Sequence, residues 1–205
     1  MELQPRCIKR RLKTSCDFIN RNVSSDFAGA FVELGAFGGS FAVLLTKTFP
    51  FASVCANDIS PVAVERAREK VGQCGNVKLC IQDFREISQT GLGTENHREV
   101  VVLILECLYY LGVGERQICV DRVRREFPKS LVFVSIPITG GDYFTETGLI
   151  DLFTSAKYSS RQFKVLNLRN DIPLIHPILE ALVQHCFYLT SRAANQVVYL
   201  FVPEV

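Results

Sequence analysis

The stretch VELGAFGGSF, Val32 to Phe41, sets an acid, Glu33, just ahead of three crowded glycines, Gly35, Gly38 and Gly39. Glycines at the end of a strand let backbone approach a ligand with no side chain between. They also expose the N–H groups that open the next helix. A second acid, Asp58, closes the next apolar stretch, FASVCAND. An acid in that place accepts hydrogen bonds from ribose hydroxyls. The two features together ask for a ligand with an adenosine-like ribose.

Two further acids follow in the same rhythm. Asp83 ends NVKLCIQD, and Glu106 ends the apolar run of EVVVLILE, where a carboxylate is no ordinary core residue. The glycine spacing bears on the ligand. A dinucleotide turn reads G-x-G-x-x-G with pyrophosphate against the helix start, whereas this chain reads G-x-x-G-G. Phe37 stands where the second glycine would admit the pyrophosphate, so the dinucleotide fit is poor. A glycine turn that holds no ligand is the third reading.

These residues need elements to carry them. AFVEL, FASVCAND, NVKLCIQDF, EVVVLILE and SLVFVSIP read as short strands, most of them apolar enough to be covered on both faces. Helical stretches lie between: FAVLLTK with Phe41, Leu44 and Leu45 on one face, SPVAVERAREKV, and GERQICVDRVRREF with Ile118, Val123 and Phe127 inward. In the second of these, Ser60 is the N-cap, Pro61 the first helical residue, and Ala63, Ala67 and Val71 the buried face. REISQTGLGTENHRE reads as a polar loop. Strands alternating with helices imply an α/β fold, a three-layer Rossmann-like sandwich with a mostly parallel sheet. Residues 1–27 read as an N-terminal helical cap. Residues 140–175, aromatic and polar without a period, read as a substrate-side insertion or lid carrying Asp142, Tyr143, Phe144 and Tyr158. LIHPILEALVQHC reads as a helix, with His176 and His185 as structural residues, and FYLTSRAANQVVYLFVP as an antiparallel C-terminal hairpin turning at Ala193 to Gln196. The sheet then has seven strands in one domain, 1–205.

Composition narrows the function. A net charge of +2 gives no electrostatic argument for nucleic acid or an anionic membrane. The one basic cluster, Arg6, Lys9, Arg10, Arg11 and Lys13, reads as a solvated helix face. Eight cysteines lie mostly in apolar runs and none forms C-x-x-C, so they read as buried thiols, with no metal site among them. There is no apolar signal region behind the basic N-terminus, and the longest apolar run is far too short to span a bilayer. The expectation is a cytoplasmic protein.

Four stretches in order resemble the class I S-adenosylmethionine-dependent methyltransferases. ELGAFGG matches the first motif, E/D-x-G-x-G-x-G, at the acid and the outer glycines and departs from it at Phe37. ANDISPVAVERARE resembles the second-strand acid with its Ser-Pro helix start, VKLCIQDFREI the third-strand end, and VVVLILECLYYLG the fourth strand and its loop. The resemblance covers roughly residues 28 to 137. Gly35, Gly39 and Phe41 with ECLYYLG look most like the nodulation N-methyltransferase (NodS-like) branch, whose members methylate an amine on an aminosugar oligosaccharide.

The resemblance implies S-adenosyl-L-methionine as cofactor. It implies Glu33, Gly35, Ala36, Phe37 and Gly39 around the methionine portion, with Phe41 behind them, and Asp58 on the ribose. It places Ile59, Asp83 and Phe84 at the adenine, and Glu106 at the methionine end or as base for the acceptor, with Tyr109 and Tyr110 walling the sulfonium. The expected acceptor is a small molecule, most simply an amine. The [DN]-P-P-[YF] signature of base-amino methylation is absent where ECLYY stands. The alternative is a methyltransferase-like domain that binds the cofactor as a sensor or partner without turnover. Oligomeric state is not legible.

Overall fold

In the computed structural model of the chain, residues 6–72, 74–137, 145–168 and 194–204 are described. The elements in order are α1 (Arg6–Asn22), β1 (Ala30–Leu34), α2 (Ser40–Thr48), β2 (Ser53–Asp58), α3 (Pro61–Val71) and β3 (Val77–Ile81). There follow a short α4 (Gln89–Leu92), β4 (Val100–Leu105), α5 (Val113–Glu126), β5 (Leu131–Pro137), α6 (Glu146–Ser155), β6 (Tyr158–Leu168) and β7 (Ala194–Pro203). The strands form one seven-stranded sheet in the order β3-β2-β1-β4-β5-β7-β6. Strands β1 to β5 are parallel, while β7 runs antiparallel to both β5 and β6.

Strand residues alternate between two cores, which gives the three layers. Val32, Val102 and Val134 join the cluster that holds Leu92 of α4, Val120 and Val123 of α5, and Leu149 and Phe153 of α6. Phe31, Val101 and Phe133 join the opposite cluster with Phe18 and Ile19 of α1, Phe41 and Leu45 of α2, and Val71 of α3. Phe18 sets its ring edge-on to Phe133 at 5.8 Å, which fixes α1 to the sheet. Helix α3 forms as its sequence dictates. The Ser60 hydroxyl accepts from the Ala63 N–H, Pro61 opens the helix, and Ala63, Ala67 and Val71 are buried.

Four expectations need correction. The last strand pairs with Tyr158–Leu168, inside the segment read as an irregular insertion, while FYLT lies outside the described residues. The register between β6 and β7 shifts between Ser160 and Gln162 and again near Asn167, so bulges break the alternation that marks a strand. Tyr158 is accordingly a core residue beneath the Arg124 guanidinium, not a substrate wall. In α5, Ile118 is exposed, and the inward positions are Cys119, Val120, Val123 and Phe127. The polar loop after β3 contains the 3-10 turn Phe84–Glu86 and α4. Asp142, Tyr143, Phe144, His176 and His185, with the helix read over LIHPILEALVQHC, lie outside the described residues.

Candidate functional site

The strand order reverses between β1 and β4, and the carboxyl ends of β1 to β5 share one edge of the sheet. In an open α/β sheet ligands bind at that edge, beside the reversal. The glycine turn leaves β1 there and is tied to its neighbour, because Gly35 and Ala36 both donate their N–H groups to the Asn57 carbonyl, at 2.8 and 2.9 Å. Asn57 is itself buried, and its side chain donates to the Gln82 carbonyl at 3.1 Å. One residue thus joins the ends of β1, β2 and β3. An amide just before Asp58 in an otherwise apolar strand was the signal for it.

Each glycine of the turn answers to a different neighbour. Gly35 has φ +80°, and a Cβ there would sit 2.7 Å from Cys107 Cβ. Gly39 has φ +69°, and its Cβ would sit 2.9 Å from Ala67 Cβ, so the space belongs to α3. Phe37, in place of the family's middle glycine, holds φ +46° with its ring 73% exposed. Its N–H donates to Asp58 Oδ2 at 2.9 Å, while Oδ1 accepts from Ser60 N–H at 2.9 Å. Asp58 therefore pins the turn to the start of α3 and keeps acceptor capacity toward solvent. Ile59, 60% exposed, stands beside it. Ala36 and Phe41 are packed in the core below, so only their backbone can face a ligand.

Beneath the turn, Glu33 is 4% exposed, and its Oε2 has no hydrogen-bond partner among the described residues. Burial, and secondarily the charge of Asp58, pushes its carboxyl up to about 8. A buried carboxylate oxygen without a donor is a demand for one. Nearby, Cys107 Sγ donates to the Leu34 carbonyl at 3.1 Å and burial raises its pKa, so it is an inert thiol. Asp83 accepts from the Arg85 backbone at 2.9 Å and from its guanidinium, whose hydrogen bonds hold the carboxyl below its usual range. Arg85 also reaches Glu115 Oε1 at 2.7 Å, at the start of α5. Phe84 packs its ring toward Gly35.

Glu106 follows β4 in a left-handed conformation, φ +59°, with its N–H on the Ser135 carbonyl at 2.9 Å. Its Oε2 lies 3.3 Å from Arg11 Nη1, and the same nitrogen donates to Gln196 Oε1 at 2.6 Å. Arg11 departs from the solvated face that its basic neighbours share. Lys9, Arg10 and Lys13 are exposed, but Arg11 is half-buried. It sits four and seven residues before the buried Ser15 and Phe18, a spacing that puts it on the inner side of α1. Tyr109 and Tyr110 pair their rings at 4.5 Å. Tyr109 is half-buried and packs against the core, its hydroxyl pKa raised mainly by burial, whereas Tyr110 is 79% exposed.

The ten residues at the β1–β3 ends and the three near the β4 end thus gather along one edge. Glu33, Asp58 and the exposed Ile59 and Phe37 fit the charged, ribose and ring portions of S-adenosylmethionine. Among the described residues, no cluster of three metal-ligating side chains exists, the cysteines are free thiols, and no helix is long and apolar enough to cross a membrane.

No family model and no curated protein matches the sequence. Solved structures match it in shape. The N-methyltransferase NodS from Bradyrhizobium japonicum WM9, in complex with S-adenosyl-L-homocysteine, is 12% identical with a TM-score of 0.69, over 98% of this chain and 89% of that one. The methyltransferase domain of a bacterial Hen1 (CtHen1-C) is 16% identical with a TM-score of 0.68, over 97% and 100%. A TehB-like SAM-dependent methyltransferase from Corynebacterium glutamicum ATCC 13032 Kitasato is 10% identical with a TM-score of 0.62, over 93% and 87%. The chain has the class I methyltransferase fold.

Proposed function

We propose that this chain is an S-adenosylmethionine-dependent methyltransferase acting on a small-molecule amine. The observation that carries the reading is the Glu33 carboxyl, buried beside Asp58 under the glycine turn, with no partner for its Oε2 among the described residues. A ligand that brings both an ammonium and a ribose answers both acids at once. Three structural neighbours with methyltransferase names support the class.

When bound, the cofactor supplies an electrophilic methyl group on a sulfonium. The chain's own part is therefore to position and to exclude water, which is worth on the order of 7–11 kcal/mol when the alignment is good. Glu33 receives the ammonium, and Asp58 the ribose hydroxyls. Ile59 and Phe37 offer apolar surface to the base, and Asp83, held through both carboxylate oxygens by Arg85, borders it. Glu106, at the end of β4, takes the proton an ammonium acceptor must lose before its nitrogen has a lone pair to give. Tyr109 and Tyr110 wall the same end.

The test is product formation. The purified chain is given S-adenosylmethionine with a panel of primary amines, aminosugars included, and with the matching alcohols, and S-adenosylhomocysteine release is followed. Release with amines and not alcohols, lost in Asp58→Ala, is the expected result. Binding of the cofactor with no acceptor turned over would instead favour a sensor. The strained Phe37 at the family's glycine position is the feature consistent with that second reading.

A further inference from the structure

We infer that Glu106 and Gln196 form the subsite for the acceptor's cationic nitrogen, and that the Arg11 side chain of α1 competes for it. The inference rests on the methyltransferase reading above and names the group that its acceptor must carry.

Position comes first. The glycine turn, Asp58 and Asp83 occupy the β1–β2–β3 half of the carboxyl edge. Glu106 follows β4 and is bonded to Ser135 of β5, and Gln196 lies opposite Pro137 at the end of β5. An acceptor must approach from the half that the cofactor's recognition groups leave open, which is where these two side chains stand.

Their geometry already defines a cation site. Two oxygens from different elements converge on one nitrogen, Gln196 Oε1 at 2.6 Å and Glu106 Oε2 at 3.3 Å from Arg11 Nη1. Gln196 is 3% exposed, so its amide oxygen depends on a donor from within the site. Glu106 holds its carboxylate there from a left-handed backbone that a non-glycine residue seldom adopts. Such outliers persist where the surroundings impose them, commonly at functional positions.

Arg11 is a poor permanent tenant. Its Nε is buried and has no partner among the described residues. A guanidinium spreads five donors over a plane, whereas an alkylammonium is compact, with three donors on one atom. The ammonium satisfies the same two oxygens with two of its three N–H groups and has no buried Nε to leave unpaired. The Arg11 side chain is flexible, while α1 itself is held by Phe18 on Phe133 and by Cys16 against Thr48 at 3.2 Å. The side chain can therefore leave without the helix. A neutral hydroxyl cannot replace the charge opposite Glu106, so the arrangement selects amines over alcohols.

The experiment uses the full chain saturated with S-adenosylhomocysteine and two probes of one shape, n-propylammonium and n-propanol, titrated by calorimetry. Arg11→Met, which keeps the length and removes the charge, is expected to bind the ammonium at least tenfold more tightly than the unmodified chain. Adding Glu106→Gln to it is expected to reverse that gain, and n-propanol should bind neither form. Equal binding of both probes, or indifference to Glu106→Gln, would overturn the inference. Should Arg11→Met fail to fold, crystals of the unmodified chain soaked in n-propylammonium decide the matter. Nitrogen on Glu106 and Gln196 with Arg11 displaced supports the subsite, and Arg11 unmoved at saturating probe sinks it. Absence of S-adenosylhomocysteine binding in the first step would count against the methyltransferase reading instead, and the ammonium preference is then read on the chain alone.

Discussion

Glu33 shows how a single buried charge links folding to ligand. Its carboxyl is raised from 4.5 to about 8, chiefly by desolvation. The folded state thus holds a proton that the unfolded state releases, and stability present below about pH 4.5 is lost as pH rises through 8. Urea unfolding at pH 5, 7 and 9 should show a decline on the order of a few kcal/mol. Glu33→Gln, which keeps the shape without the charge, should flatten it; an unchanged slope would mean that other groups set the dependence. A bound ammonium restores the ionised form, so cofactor binding near pH 7 should release about one proton, read by calorimetry in buffers of different ionisation enthalpy. At this scale the sequence was informative wherever chemistry had a fixed place. The places of Glu33, Gly35 and Asp58 at the ends of β1 and β2 were legible, because apolar runs stop there at a glycine or at Ser-Pro. Arg11 was not, because a charge on a basic helix reads as solvated until its partner, Glu106, is known from the fold.

Elements impose their own demands on the same residues. Gly39 was expected at the cofactor, yet the nearest atom to its missing side chain belongs to Ala67 of α3. Gly39→Ala is expected to cost about 2–4 kcal/mol, combining left-handed strain with overpacking. Adding Ala67→Gly should recover part of that, and chemical denaturation of the four variants measures the coupling. Strict additivity would show that the two helices do not meet through this glycine. Gly35 differs, since its crowding partner is Cys107, which joins the turn after β1 to the loop after β4. The parallel strands were readable as apolar runs, and α3 from its cap, its proline and its period. Strand β6 was hidden by its bulges, and its pairing with β7 depends on a chain reversal that no local pattern records.

On the proposed reading the carboxyl edge is divided between two tasks, with the ends of β1 to β3 facing S-adenosylmethionine and those of β4, β5 and β7 facing the acceptor. Reversal of strand order between β1 and β4 puts the two halves side by side. Alternation of strands and helices predicted this architecture, and the antiparallel final strand was anticipated too. The meeting of Arg11, Glu106 and Gln196 was not legible, because only the fold brings α1, the end of β4 and β7 together.

The most direct measurement is a thermal-shift titration of the chain with S-adenosylhomocysteine, beside NAD and beside an Asp58→Ala variant. At about a hundredfold excess over the dissociation constant, binding adds roughly 2.7 kcal/mol of stability. The account predicts a shift with S-adenosylhomocysteine alone. It also predicts an affinity loss of about ten- to a hundredfold in Asp58→Ala, the loss expected when hydrogen bonds to a charged group are removed. No shift with S-adenosylhomocysteine, or a larger one with NAD, would contradict the assignment of the glycine turn.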